Sequence, residues 1–393
     1  MAKLDGVNIE KLQGGLQRLA NGTDNHVGLI VIGMPADAVA TAVNNGGKGV
    51  AITAVYDAEQ LGINESYDAN NSLTLHQDIT EFFRLAPEAT LYLFNSDVVA
   101  DIQAFISQNK EVKGYGIYMT YDSETPNLVT TINGQQTIIN GFAAQNRLLD
   151  FALIGANGLD DYTEDLRALD APNTSVLVGC AANDGITALG AALGMLAVRG
   201  VYENLGSVDI ESKPLAYRGN ESYPLTDDTE AVWLNAYLSD GNDIETVDNA
   251  VLQSIITNGY IAIAAYQEYP GYFIENSYTC VDEESDFAFI ENNRVWNKAA
   301  RIIRTTLLPR VKGVVKKDPQ TGYIAATTAA YWKTLIDTKL DQMVANGEIS
   351  GYETAIDNKQ IVNSTAPVTV KVSIVANGIV HEFEVAVGLT NNI

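Results

Sequence analysis

Two periodicities run along this chain and divide it. From His26 to about Val198, short apolar runs alternate with helical stretches. Val27–Gly33 (VGLIVIG), Thr90–Phe94 (TLYLF), Gly114–Tyr121 (GYGIYMTY) and Ser175–Gly179 (SVLVG) are continuous apolar segments that predict buried strands. Gly49–Val55 predicts a further strand or helix margin. Leu75–Ala86, Ala100–Gln108, Gly141–Phe151 and Gly185–Val198 predict the intervening helices. Strands alternating with helices give an α/β class with a mostly parallel sheet. Residues 202–245 are polar and acidic, with Pro214 and Pro224, and read as a long excursion. Val247–Asn258 predicts a helix, and Ile261–Tyr266 and Gly271–Ile274 predict strands around a Tyr269-Pro270-Gly271 turn.

The last hundred residues follow another rhythm. In Glu291–Leu308, Val295, Trp296, Ala299, Ala300, Ile302, Ile303 and Leu307 share one face at helical spacing, and Pro309 ends the helix. Arg294, Lys298, Arg301 and Arg304 share the opposite face, and Arg310, Lys312, Lys316 and Lys317 continue the positive charge beyond it. A second helix, Ala325–Asn346, carries Trp332, Ile336, Leu340 and Met343 and stops at Asn346-Gly347. Val368, Val370, Val372 and Ile374 then alternate with polar residues, and Asn377-Gly378 is the preferred pair for a tight hairpin turn. That turn predicts strands Thr369–Ala376 and Ile379–Leu389, with Lys371 opposite Glu384, Val372 opposite Phe383 and Val370 opposite Val385. Before His26, the chain is polar and Gly-rich. Val7, Ile9 and Lys11 occupy alternate positions there, as on a short strand that orders when it docks.

Charge sharpens this division. The chain carries a formal −25, which argues against nucleic acid as the main partner. Yet Asp286–Leu340 holds ten Lys or Arg against four Asp or Glu, a net +6 that leaves −31 on the rest. Such asymmetry fits either a face that meets an acidic partner or a basic helix balancing acidic neighbours within one subunit. No apolar run is long enough to span a bilayer, and the first residues lack a secretory h-region. Cys180 and Cys280 lie in apolar surroundings that predict buried thiols.

Signals for chemistry are weak. No phosphate-binding glycine motif and no G-x-S-x-G elbow occurs. Gly179–Gly185 (GCAANDG) is the nearest approach to a ligand loop, and it also reads as an ordinary strand-to-helix turn. His26, His76 and His381 lack metal-ligand spacing, so neither a metal nor a cofactor is expected. Asp160-Asp161, Asp227-Asp228 and Asp282–Glu284 read as solvated acidic loops.

The order NGYIAIAAYQEYPGYFIENSYTC, DFAFIENNRVWNKAARIIRTTLLPRVKG, ANGEISGYETAID and the terminal strands resembles contractile phage tail sheath proteins. The likeness is to the short sheaths of Mu-like and Bacteroidetes-type phages and related injection systems. VNIEKLQGGL followed by GLIVIG resembles the sheath N-terminal arm and first strand. The resemblance implies an outward α/β domain plus a C-terminal α+β sheath domain, with strand-exchanging N- and C-terminal arms. Their bounds would be 1–25 for the arm, 26–257 for the outer part, 258–366 for the sheath core and 367–393 for the terminal ribbon. It implies a non-enzymatic subunit that polymerises helically around an inner tail tube and contracts. Its other partners would be baseplate and tail terminator proteins, and its place the virion tail, assembled in a bacterial host's cytoplasm. Exchanged strands would carry Val7, Ile9, Lys11, Val370, Val372, Ile374, Phe383, Val385 and Val387. The resemblance leaves open which strand leaves the subunit. Arg294, Lys298, Arg301, Arg304, Lys316 and Lys317 would face the tube. The residues alone keep two alternatives: an α/β enzyme with a nucleotide-like ligand, and a non-contractile lattice protein.

Overall fold

The structure, a computed structural model, describes residues 26–96, 98–121, 127–208, 225–227, 231–363, 367–381 and 383–385. The expected N-terminal strand, Val387 and Asp228 lie outside them.

Six strands form the central sheet: β1 (His26–Val31), β2 (Val50–Ile52), β3 (Thr90–Asn95), β4 (Gly114–Thr120), β5 (Ala152–Asn157) and β6 (Thr174–Leu177). Their order is β2-β3-β1-β4-β5-β6, parallel except for β2 against β3. Burial on both faces explains why β1 and β4 are nearly unbroken apolar runs. The helices are α1 (Ala38–Asn44), α2 (Val55–Gln60), α3 (Glu65–Asn71), α4 (Leu75–Leu85), α5 (Val99–Gln108), α6 (Leu128–Ala144) and α7 (Leu189–Val198). A helix expected at Gly141–Phe151 is corrected: α6 ends at Ala144, and its polar Gln135 and Gln136 are buried rather than exposed. Gln135 accepts a hydrogen bond from the Tyr115 hydroxyl at 3.0 Å.

Helix α7 packs on β1, β4 and β5 of the sheet, and two contacts set its place. A Cβ at Gly116 would stand 2.7 Å from Leu193, and one at Gly190 would stand 2.0 Å from the Asp78 carbonyl oxygen. Only glycine lets sheet, α4 and α7 approach this closely. The Asp78 side chain also accepts a 2.7 Å hydrogen bond at Oδ1 from the Gly190 N–H, capping the start of α7 from a neighbouring helix.

Before α7 lies β7 (Gly179–Cys180), which pairs with β8 (Tyr237–Leu238) beyond it; then come α8 (Asn249–Thr257) and a hairpin, β9 (Ile263–Tyr266) with β10 (Tyr269–Ile274). The hairpin turns at Gln267-Glu268, where Glu268 is left-handed (φ 64°), and Tyr269-Pro270-Gly271 forms a bulge. Ile261 bridges in parallel to Leu177, so the segment after α8 extends the main sheet. Tyr260, Ile263, Tyr272, Tyr278, Cys280 and Ile290 accordingly pack into the first core.

The second core is built from α9 (Ile290–Leu307), α10 (Ala326–Ala345), β11 (Gly351–Ala355) and β12 (Lys371–Val375), around Val295, Ala299, Ile336, Leu340 and Met343. Among the described residues, the expected terminal hairpin does not form. β12 pairs antiparallel with β11, so Lys371 faces Ala355, Val372 faces Thr354 and Ile374 faces Tyr352. Asn377 does not turn the chain back onto β12. Its side-chain amide donates to Gly347 O at 2.6 Å and its carbonyl accepts from Ser350 Oγ at 2.9 Å, fastening the ribbon to the end of α10.

Candidate assembly surfaces

Helix α9 joins the two cores, and its cations do two different jobs. Arg294 is only 2 % exposed, and its guanidinium donates to Leu196 O (2.9 Å), Gly200 O (3.4 Å) and Arg199 O (3.5 Å). These carbonyls close the C-terminal end of α7, where a cation complements the helix dipole. Lys298 pairs with Glu348 at 3.0 Å, in the turn after α10. Arg301 pairs with the buried Asp150 at 2.9 Å and donates to Leu148 O at 3.2 Å. Asn297 adds bonds to Leu149 O and Asp150, each 2.9 Å. Arg294, Lys298 and Arg301 are therefore turned into the subunit and fix α9 against both cores. An exposed patch that includes all four helix cations is corrected. Arg304, Lys316 and Lys317 remain exposed, with Lys317 donating to Val362 O at 3.1 Å.

A buried acid accompanies Arg294. Glu291 accepts hydrogen bonds from Asn204 (2.9 Å) and Ser277. Burial pushes its carboxyl above the usual range, against those bonds and the charge of Arg294.

The terminal ribbon has open edges. Among the described residues, β11 and β12 pair only with each other, leaving each one outer edge. Val370, Val372 and Ile374 turn toward the second core. Past Gly378 the described residues form no strand, and Phe383 (80 % exposed) and Val385 (73 %) face solvent. His381 stacks on Phe289, with ring centroids 5.2 Å apart.

The positions tested for chemistry are dispersed. The Gly179–Gly185 loop borders a cavity of about 20 Å³ with Thr74, Asp78 and Thr187, room for about one water molecule. Cys180 and Cys280 are buried free thiols, both raised by burial away from the thiolate form. His26 is lowered by burial, and His76 lies 3.5 Å from Glu59. Asp161 caps the Thr163 N–H, and Asp282 caps the Glu284 N–H, at exposed turns. Among the described residues, no cluster of three His, Cys, Asp or Glu could hold a metal, and no helix is long and apolar enough to cross a membrane.

Comparison with known proteins places this geometry in context. The family model "DUF2586, N-terminal domain" matches residues 4–278, and "DUF2586, C-terminal domain" matches residues 286–393. No curated protein matches. A chain of the anti-feeding prophage baseplate superposes with a TM-score of 0.57 and 13 % identity, over 100 % of both chains. A chain of the contracted sheath complex of PVC, an extracellular contractile injection system, gives 0.57 and 14 %, over 100 % of this chain and 99 % of that one. The sheath tail protein of Listeria innocua gives 0.52 and 10 %, over 92 % and 97 %. At these identities the likeness is one of fold, and it spans nearly the whole of each chain.

Proposed function

The chain belongs to the DUF2586 family and has the fold of contractile tail sheath proteins, and from that premise we propose that it is the structural subunit of a contractile sheath. In this reading, copies polymerise helically around an inner tube and contract to drive it through a target envelope. The observation that carries the reading is the end-to-end match to sheath chains, which includes both cores. The role is structural, with no catalytic step.

The open ribbon supplies the linkage. A neighbour's residues 379–389, carrying Phe383, Val385 and Val387, would add to one edge of β11–β12. The N-terminal Val7, Ile9 and Lys11 would add to the other. Main-chain hydrogen bonds hold such strands without depending on one side-chain surface. Support comes from Phe383 and Val385, apolar side chains exposed on a segment that does not fold back on its own β12. Arg304, Lys316 and Lys317 are the cations we assign to the tube. Arg294, Lys298 and Arg301 hold α9 rigidly between the cores, so lattice change would run through the linkers.

Negative-stain electron microscopy of the full chain beside a deletion of residues 1–25 tests this. Long tubes or stacked rings from the full chain, lost on deletion, are expected. Uniform small particles from both chains, with the tube protein present as template, would oppose the reading.

A further inference from the structure

Among the described residues, two exposed features complement each other. The first is the tip that follows α9. Leu308 (52 % exposed), Val311 (63 %) and Val314 (102 %) stand out from it, interleaved with Arg310 and Lys312. The tip is a defined shape: Val311 N–H donates to Leu308 O at 3.1 Å, Gly313 N–H donates to Arg310 O at 3.0 Å, and Lys312 is left-handed at φ 62°. Arg310 also reaches the Tyr331 hydroxyl at 3.4 Å.

The second is an open pocket of about 270 Å³ beside the β9–β10 hairpin. Tyr266 (45 % exposed), Tyr269 (44 %), Pro270, Leu234 (51 %) and Glu245 line it. The two tyrosines are held in place by Phe273, whose ring lies 5.8 Å from each. The Tyr272 hydroxyl donates to Glu245 at 2.7 Å and orients that carboxylate. Aromatic faces beside a carboxylate select a cation carried on an apolar stem.

We propose that in the polymer the 308–314 tip of one copy seats in the Tyr266–Tyr269 pocket of another. This rests on the homopolymer reading above. Leu308, Val311 and Val314 would cover the tyrosines and Leu234, and Arg310 and Lys312 would meet Glu245 and the ring faces. The occupant is a second copy because the charges match within one sequence: the tip belongs to the +6 segment, and the pocket to the remainder at −31. Apolar and ionic complementarity then act on the same contact, and preformed shapes on both sides keep the ordering cost low.

Disulfide trapping in the full chain tests it. Cys180 and Cys280 are buried, so a Lys312→Cys, Tyr269→Cys double variant introduces the accessible thiols. Oxidised assemblies should give a ladder of cross-linked multimers, absent from either single variant. Normal tubes by electron microscopy without a ladder would overturn the contact while leaving the sheath reading intact. Cross-links from Lys312→Cys to tube protein carrying a scanning cysteine, without copy-to-copy links, would assign the tip to the tube. Loss of tubes from the unaltered chain would remove the polymer reading and this contact together. As a second route, Lys312→Glu and Glu245→Lys should each lower assembly about tenfold, and the double swap should restore it. Unchanged assembly in both singles would also overturn the proposal.

Discussion

Replacing Arg294 with methionine separates a buried clamp from a surface cation. The side chain is 2 % exposed, and its guanidinium donates one full-length bond to Leu196 O and two longer ones to Arg199 and Gly200. A hydrogen bond involving a charged group contributes about 1.5–3 kcal/mol. Methionine fills part of the volume but leaves these carbonyls, at the closed end of α7, without their donor. It also leaves the buried Glu291 without its neighbouring positive charge. Breaking one side of such an arrangement costs about 3–5 kcal/mol. Urea unfolding followed by fluorescence of Trp233, Trp296 and Trp332 reads this directly. With a slope near 3 kcal/mol per molar, the midpoint should fall by roughly 1–1.7 M. Arg304→Met, on the exposed turn of the same helix, should change stability by less than about 0.5 kcal/mol. Equal, near-zero shifts for both variants would refute the clamp and restore a solvent-facing Arg294.

Three further outcomes follow from the packing. Burial raises the Asp78 carboxyl to about 8, opposed by the Gly190 N–H. The folded state then holds a proton that the unfolded state has lost, so this group's contribution to stability falls as pH rises from about 4 to about 8. Asp78→Asn should therefore gain on the native chain across that window in thermal melts, and a constant difference from pH 4 to 9 would contradict it. Gly190→Ala should cost at least about 1–3 kcal/mol, because its methyl would sit 2.0 Å from the Asp78 carbonyl oxygen; unchanged denaturant unfolding would show that α4 and α7 can part freely. Truncation after Gly378 should leave hydrogen-exchange protection of β12 intact, since β11 is its partner; loss of that protection would favour the hairpin.

Much of the fold was legible in the sequence where one local rule dominated. β1, β3 and β4 declared themselves as apolar runs because both sheet faces are covered. Helix α9 was delimited by its stripe and by Pro309 to within one residue at each end. Failures came where tertiary contacts override local signals. In α6, buried Gln135 and Gln136 are satisfied by Tyr115 and Asn173, so polar residues interrupt the apolar stripe. Asn377-Gly378 carries ideal hairpin chemistry, yet Asn377 bonds to Gly347 and Ser350, and β11 takes the place of the following strand. The cationic stripe was visible, but its partners Asp150 and Glu348 are 151 and 50 residues away from Arg301 and Lys298. Periodicity gives the faces of a helix and not the distant acid that turns one of them inward. The tyrosine pocket had only a Tyr-Pro-Gly turn as its trace in sequence.

Helical reconstruction by cryo-electron microscopy of the full chain, assembled with its inner tube, tests the central claim most directly. The expected density is a helical polymer in which each β11–β12 ribbon gains strands from neighbouring copies. Closed small oligomers, or a polymer whose ribbons remain two-stranded, would contradict it.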